Sequence, residues 1–329
     1  MQNDGSPALD PDLGRMAGAT PSPPPERAER APPAAPKALP PAPPAGPFKR
    51  AWRSIFGGGS DAPGPAPVRE PPVTRSVTVG AGLPPPRYSD DGPEEMTRPA
   101  TRSIPIERRE LVPAEKLGFQ PWTTICRLEV TYAAGQRHVA SGFLIHPGVV
   151  ATSAHVILHP DGGIGRATEI AVTPGFDLPP PRRRTLVSRT FRIRDGWGAG
   201  PSSFLAANDY GAVLFPDPNA FAGFGRLDWC EPASSDFTGN FAVSGYPAEK
   251  HGQWRHWNAV TEVGEVSLRH VVQTTAGQSG SPLFQLKDGV VRVVGIHSRT
   301  VGDSNVARRV TDRVLADYRA WIGEIAPVA

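Results

Sequence analysis

Proline divides this chain before any motif is read: of 40 prolines in 329 residues, 24 fall within residues 1–100. Proline fixes φ and removes a backbone donor, so a stretch this rich in it suits neither helix interiors nor central strands. The same stretch is poor in large apolar side chains and has too little to bury to offset the entropy of ordering itself. Runs such as Pro32-Pro33 and Pro40-Pro41-Ala42-Pro43-Pro44 favour polyproline II. The expectation is a disordered Pro/Ala-rich arm over residues 1–103, serving as propeptide, tether or docking segment, and a folded part over 104–329. One island interrupts the arm, where Phe48, Trp52 and Ile55 or Phe56 share a helical face ahead of Gly57-Gly58-Gly59. Nine residues make a marginal helix in isolation, so this island reads as a transient turn in a linker.

Charge and cysteine content narrow the classes. With 35 Lys+Arg against 32 Asp+Glu the net charge is +3, too balanced for nucleic acid or an anionic membrane to be the main partner. Two cysteines, Cys126 and Cys230, exclude a disulfide framework and a four-cysteine zinc site; free buried thiols are expected. No apolar run approaches the roughly 18 residues of a membrane span. Met1-Gln2-Asn3-Asp4-Gly5 lacks the basic and apolar regions of a secretory signal, so a cytoplasmic location is expected, export by a non-standard route aside.

From about Trp122 the pattern becomes short runs of Val, Ile, Thr and aromatics bounded by Gly, Pro and Asp. Thr124–Tyr132, Val139–Ile145, Gly148–Thr152, Glu169–Val172, Asp209–Phe215, Phe241–Gly245, Glu265–Gln273, Pro282–Gln285 and Val290–Ile296 read as strands. Helical stretches between them, which a parallel α/β sheet needs, are missing, so the fold class is all-β. The tail differs. In Val310–Ile325, Val314, Leu315, Tyr318, Trp321, Ile322 and Ile325 recur at helical spacing.

Three strings carry candidate chemistry. In Thr274–Pro282 the glycines flanking Gln278-Ser279 permit the tight backbone that exposes a nucleophilic hydroxyl and aims N–H groups at an oxyanion. In Val149–Val156 an apolar strand ends in small residues and then His155, a general base at a strand end. Asn208–Phe215 opens an apolar strand with Asp209, a carboxylate able to orient that base. Alone, each has an ordinary structural explanation: a Gly/Ser turn, a packed histidine, a turn aspartate. Their order, His155…Asp209…Ser279, is what joins them.

With Val243-Ser244-Gly245-Tyr246-Pro247 and Val294-Gly295-Ile296-His297, these strings resemble the trypsin-like (chymotrypsin-fold) serine proteases, most of all the bacterial glutamyl endopeptidase branch. The resemblance implies two six-stranded antiparallel β-barrels, over roughly 120–225 and 235–310, with a C-terminal α-helix over 310–325. It implies that Ser279 is the nucleophile, His155 the base and Asp209 the orienting carboxylate, with the backbone N–H groups of Gly277 and Ser279 as oxyanion hole and no cofactor or metal. By the same likeness Thr274 and His297 bind an acidic side chain before the scissile bond. Ser298 contacts Asp209 and substrate, and Arg299 stands where relatives often carry glycine. Removal of the arm around Arg102 or Ser103 is the implied activation. A catalytically inactive protease-like binding module, or a protease of small or apolar specificity, is the alternative. The expected partners are a protein or peptide substrate and a target docked through the arm, without nucleic acid or stable membrane insertion, for a monomeric chain.

Overall fold

The computed structural model describes residues 7–14, 107–199, 206–229, 232, 237–287 and 289–325. The helical island at 48–56, Arg102, Ser103 and Cys230 lie outside these residues. Strands dominate, in the order β1 (Glu110–Leu111), β2 (Ile125–Tyr132), β3 (Arg137–His146), β4 (Val149–Thr152), β5 (Ala167–Pro174), β6 (Leu186–Ser188), β7 (Thr190–Ile193) and β8 (Gly211–Leu214). They continue with β9 (Asp228–Trp229), β10 (Phe241–Gly245), β11 (Trp254–Asn258), β12 (Val260–Val263), β13 (Ser267–His270), β14 (Pro282–Lys287), β15 (Val290–Val301) and β16 (Ser304–Arg309). Two short helices matter for the site: α1 (Ala154–Ile157) and α2 (Asp312–Gly323).

The strands form two sheets, one ordered β6-β5-β2-β3-β4-β8-β7 and the other β1-β11-β10-β14-β15-β16-β13-β12, with β9 added parallel to β15. The ends of the first order, β6 and β7, are separated in the chain only by Arg189, so one bent strand closes the sheet. In the second sheet β11 and β12 are separated only by Ala259 and close it in the same way. Counted as continuous strands, each barrel has six, and the two-residue β1 and β9 are additions at the edges. This is the expected two-barrel all-β architecture, with the strand count raised by two bends.

Period-2 alternation explains how one strand serves two cores. On β2, Cys126, Leu128, Val130 and Tyr132 fill the first barrel with Leu144, Val150, Val172 and Val213. Residues of opposite parity, Ile125, Phe143 and Ala151, pack between the barrels with Tyr210, Tyr246, Phe284 and Ile296. Phe241, Val243, Leu268, Leu283, Val294 and Ala307 fill the second barrel. The α2 helix buries Val314, Leu315, Tyr318 and Trp321 in the shared interior, one face of a helical repeat, as expected from the tail. Cys126 is a free, fully buried thiol.

The described residues depart from the expected arm at its start. Residues 7–14 are docked on the domain: Leu9 pairs with Gln120 in a parallel bridge, and Asp10 and Leu13 are buried. Average composition does not reveal this, because one aspartate and two leucines suffice when a groove far along the chain receives them.

Candidate active site

His155 owes its position to a strand that stops. The four residues of β4 are all buried; Ser153 then turns the chain into the single helical turn α1, which carries the imidazole to the edge of a cleft. Asp209 lies between a 3-10 turn at Ala206–Asn208 and β8, and is wholly buried. Its carboxylate holds His155 twice: Oδ2 meets Nδ1 at 2.8 Å, and Oδ1 accepts the His155 backbone N–H at 2.9 Å. The Ser298 hydroxyl donates to the same Oδ2. Burial pushes the Asp209 pKa up, but the charge of His155 and these three hydrogen bonds outweigh it, leaving the carboxyl below its ordinary value and ionised. An ionised carboxylate only accepts, so the Nδ1 beside it carries the proton and Nε2 is left as a base.

The seat of Asp209 is braced from behind. Tyr210 lies against Tyr318 and Trp321 of α2 at ring separations of 6.0 and 6.1 Å. Tyr318 donates its hydroxyl to the Gly211 carbonyl oxygen at 2.7 Å. The C-terminal helix thereby fixes the start of β8.

Ser279 comes from the other barrel and lines the same cleft as His155. Its turn requires glycine at two points. At Gly277 (φ +92°) a Cβ would strike the backbone of Tyr246–Ala248, and at Gly280 (φ +83°) it would strike Thr152 and Ser141. Within the turn, the Gln278 N–H donates to Thr275 O and the Gly280 N–H to His297 O. The N–H groups of Gly277 and Ser279 take no part in these bonds. The Ser279 hydroxyl hydrogen bond goes to the Ser298 carbonyl oxygen, at 3.5 Å, rather than to His155. Asp209 thus bonds both His155 and Ser298, and Ser279 lines the same cleft as His155 with its hydroxyl bonded to Ser298 O.

Two serines clamp the two barrels together here, Ser153 from the string that holds His155 and Ser141 from outside the strings. The Ser141 N–H donates to the Ser279 carbonyl oxygen at 2.9 Å, and the Ser141 hydroxyl donates to the Gly277 carbonyl oxygen at 2.8 Å. The Ser153 hydroxyl donates to His297 O at 2.9 Å. Arg109, 7 % exposed, ties the segment entering the domain to the turn that carries Ser279: its guanidinium bonds Thr275, reaches Gln278 at 3.4 Å and pairs with Glu107 and Glu249. A small serine within an apolar strand and an arginine ahead of the first strand carry no local pattern; only the three-dimensional contacts single them out.

On the floor of the cleft lie Thr274 and His297, with no hydrogen-bond partner for Thr274 Oγ1 or His297 Nδ1. Burial first, then the charge of His155, lowers the His297 pKa to about 3, so its ring is neutral. His270 stands against it edge-on at 5.4 Å. The cleft measures about 560 Å³; its lining holds Arg137, Arg299 and four histidines, and no carboxylate among the described residues. No group of three His, Cys, Asp or Glu side chains able to hold a metal occurs among the described residues, and no described helix is long and apolar enough to cross a membrane.

Comparison with known proteins agrees with this geometry. Residues 140–296 match the trypsin-like peptidase domain family, a span that contains His155, Asp209 and Ser279. A glutamyl endopeptidase of Bacillus licheniformis is 29% identical over 195 residues, 55% of this chain and 58% of that protein. The chain therefore spans somewhat over half the length of this relative. Among solved structures, a Glu endopeptidase in complex with MPD superposes with a TM-score of 0.56 at 20% identity, covering 67% of this chain and 98% of that one. A thermostable serine protease from an extremophilic microorganism gives 0.50 at 16% identity, covering 64% and 98%. Identities this low speak for the fold alone: the chain has the chymotrypsin-like fold, and its residues 140–296 are similar to the trypsin-like peptidase domain.

Proposed function

We propose that the chain is a serine endopeptidase that cuts after acidic residues. The observation that carries the reading is the buried Asp209, which grips His155 at two atoms and opens through it onto the cleft that Ser279 lines. In this reading the Ser279 hydroxyl rotates from Ser298 O toward His155, whose Nε2 takes the proton as Oγ attacks the peptide carbonyl carbon. The oxyanion is received by the N–H groups of Gly277 and Ser279. His155 then returns the proton to the leaving amine, and water, deprotonated by the same imidazole, releases the acyl group from Ser279. Asp209 holds the tautomer and offsets the transient positive charge on the ring.

The acidic preference is supported by Thr274 and His297, which both line the cleft and each hold a buried polar atom without a partner, and by a described lining that holds two arginines and no carboxylate. A site built to hydrogen-bond a side chain discriminates strongly against one that lacks the group. A peptide-library cleavage profile tests the reading. Glu or Asp should dominate before the cut, and Thr274→Val with His297→Ala should lower kcat/KM on such peptides by about 100-fold while leaving other peptides nearly unchanged. A profile led by small or apolar residues would replace the specificity claim, and absence of any cleavage would favour a binding module.

A further inference from the structure

Residues 7–14 occupy a built groove on the peptidase domain. The Asp10 N–H donates to Gln120 O at 2.8 Å and the Gln120 N–H to Ala8 O at 2.8 Å, so the backbone is paired on both sides of Leu9. The Asp10 side chain is fully buried, and each of its oxygens is used. Oδ2 accepts the Trp122 indole N–H at 2.8 Å; Oδ1 accepts Lys116 Nζ at 2.9 Å and the Asp12 N–H at 3.0 Å. Asp12 pairs with the same ammonium. Leu13 is 0 % exposed and packs in the cluster that contains Trp122 and Phe284. A buried carboxylate with three hydrogen bonds and a buried leucine are what a specific peptide anchor requires; a chance surface contact has neither.

Between Gly14 and Glu107 lie some 90 residues of chain. A connection that long imposes almost no geometric constraint at its ends, so the contacts above, rather than the covalent link, hold the segment in place. We infer that residues 7–14 are an anchor which the domain binds non-covalently in cis, and that the N-terminal arm stays attached after the chain is cut anywhere between residues 15 and 106. The groove made by Lys116, Gln120 and Trp122 is then a docking site for a peptide of the form Leu-Asp-Pro-Asp-Leu, and proteolysis of the connection converts a loop into a two-chain complex rather than discarding the arm. This inference does not depend on the catalytic reading.

The test uses the full chain carrying Ser279→Ala, to prevent self-cutting, and a site-specific protease recognition sequence inserted between Gly57 and Gly58. After cutting, the two fragments should co-elute in gel filtration at about 10 μM and give the mass of a 1:1 complex by native mass spectrometry. Asp10→Ala and, on the groove side, Lys116→Ala should each weaken retention of the fragment by about tenfold or more, the loss of one to two buried charged hydrogen bonds. Unchanged circular dichroism of the Lys116→Ala protein separates loss of docking from loss of fold. Separation of the wild-type fragments would overturn the inference, as would equal retention in all three proteins. A dimer of the uncut chain would overturn docking in cis in favour of exchange between copies.

Discussion

Two aspartates in this molecule are buried alike and differ in what they face. Asp10 and Asp209 both have fully buried side chains, their partners Lys116 and His155 have side chains that are each 16 % exposed, and each carboxyl is held below its ordinary pKa by interactions that outweigh burial. The difference lies in the partner. Asp10 faces Lys116, an ammonium that stays charged at neutral pH, and an indole N–H; every donor is spent in cohesion. Asp209 faces His155, whose second ring nitrogen is free to accept and release a proton beside an open cleft. In the proposed function a satisfied buried carboxylate serves chemistry only where its partner has a second nitrogen facing an open cleft.

Substituting each aspartate by asparagine should break the comparison most visibly. Asp209→Asn leaves the shape but favours the wrong imidazole tautomer, and kcat should fall by about 10⁴-fold, the size seen for this exchange in chymotrypsin-type triads, measured as steady-state peptide hydrolysis. Asp10→Asn should leave kcat within about twofold and appear instead as a loss of roughly 1–3 kcal/mol in denaturant unfolding. A smaller contrast comes from the anchor's apolar residue. Leu13→Ala should cost about 2–5 kcal/mol in urea melts if the segment folds with the domain, and almost nothing if it does not.

That difference between the two aspartates also governs what was legible beforehand. Asp209 opens an apolar strand and His155 closes one, so each chemical residue is flagged by its neighbours, and the chain order of the three residues adds what no single string holds. Asp10 and Leu13 stand in a Pro-rich stretch with no periodicity, and their partners, Lys116 and Trp122, are about a hundred residues away. A contact made by two or three side chains across that separation leaves no local trace. Ser141 and Arg109 escaped for the same reason: their importance lies in a backbone carbonyl and a turn on the opposite barrel. Apolar alternation also leaves several strands unmarked, among them β7, β11 and β16, where Arg192, Arg255 and Arg308 interrupt it.

A last and smallest effect concerns the entrance to the domain. Hydrogen bonding from Arg109, aided by Lys250, holds the Glu107 carboxyl at about 2, below an ordinary value of 4.5. A lowered folded-state pKa stabilises above the unfolded value and loses its contribution as pH falls through the folded one. Between about pH 4.5 and 2 the Glu107–Arg109 link should therefore weaken, and the segment before β1 should become more susceptible to a protease active in acid, with Glu107→Gln removing the pH dependence. Glu107 is partly exposed, so the change in global stability should be slight.

The most direct measurement is intact-mass analysis after exposure to a fluorophosphonate, which reacts only with an activated serine. The wild-type protein should gain one adduct, located on Ser279, the Asp209→Asn protein should react far more slowly, and Ser279→Ala should gain none. A folded wild-type protein that remains unmodified, or an adduct on any other serine, would contradict the catalytic reading.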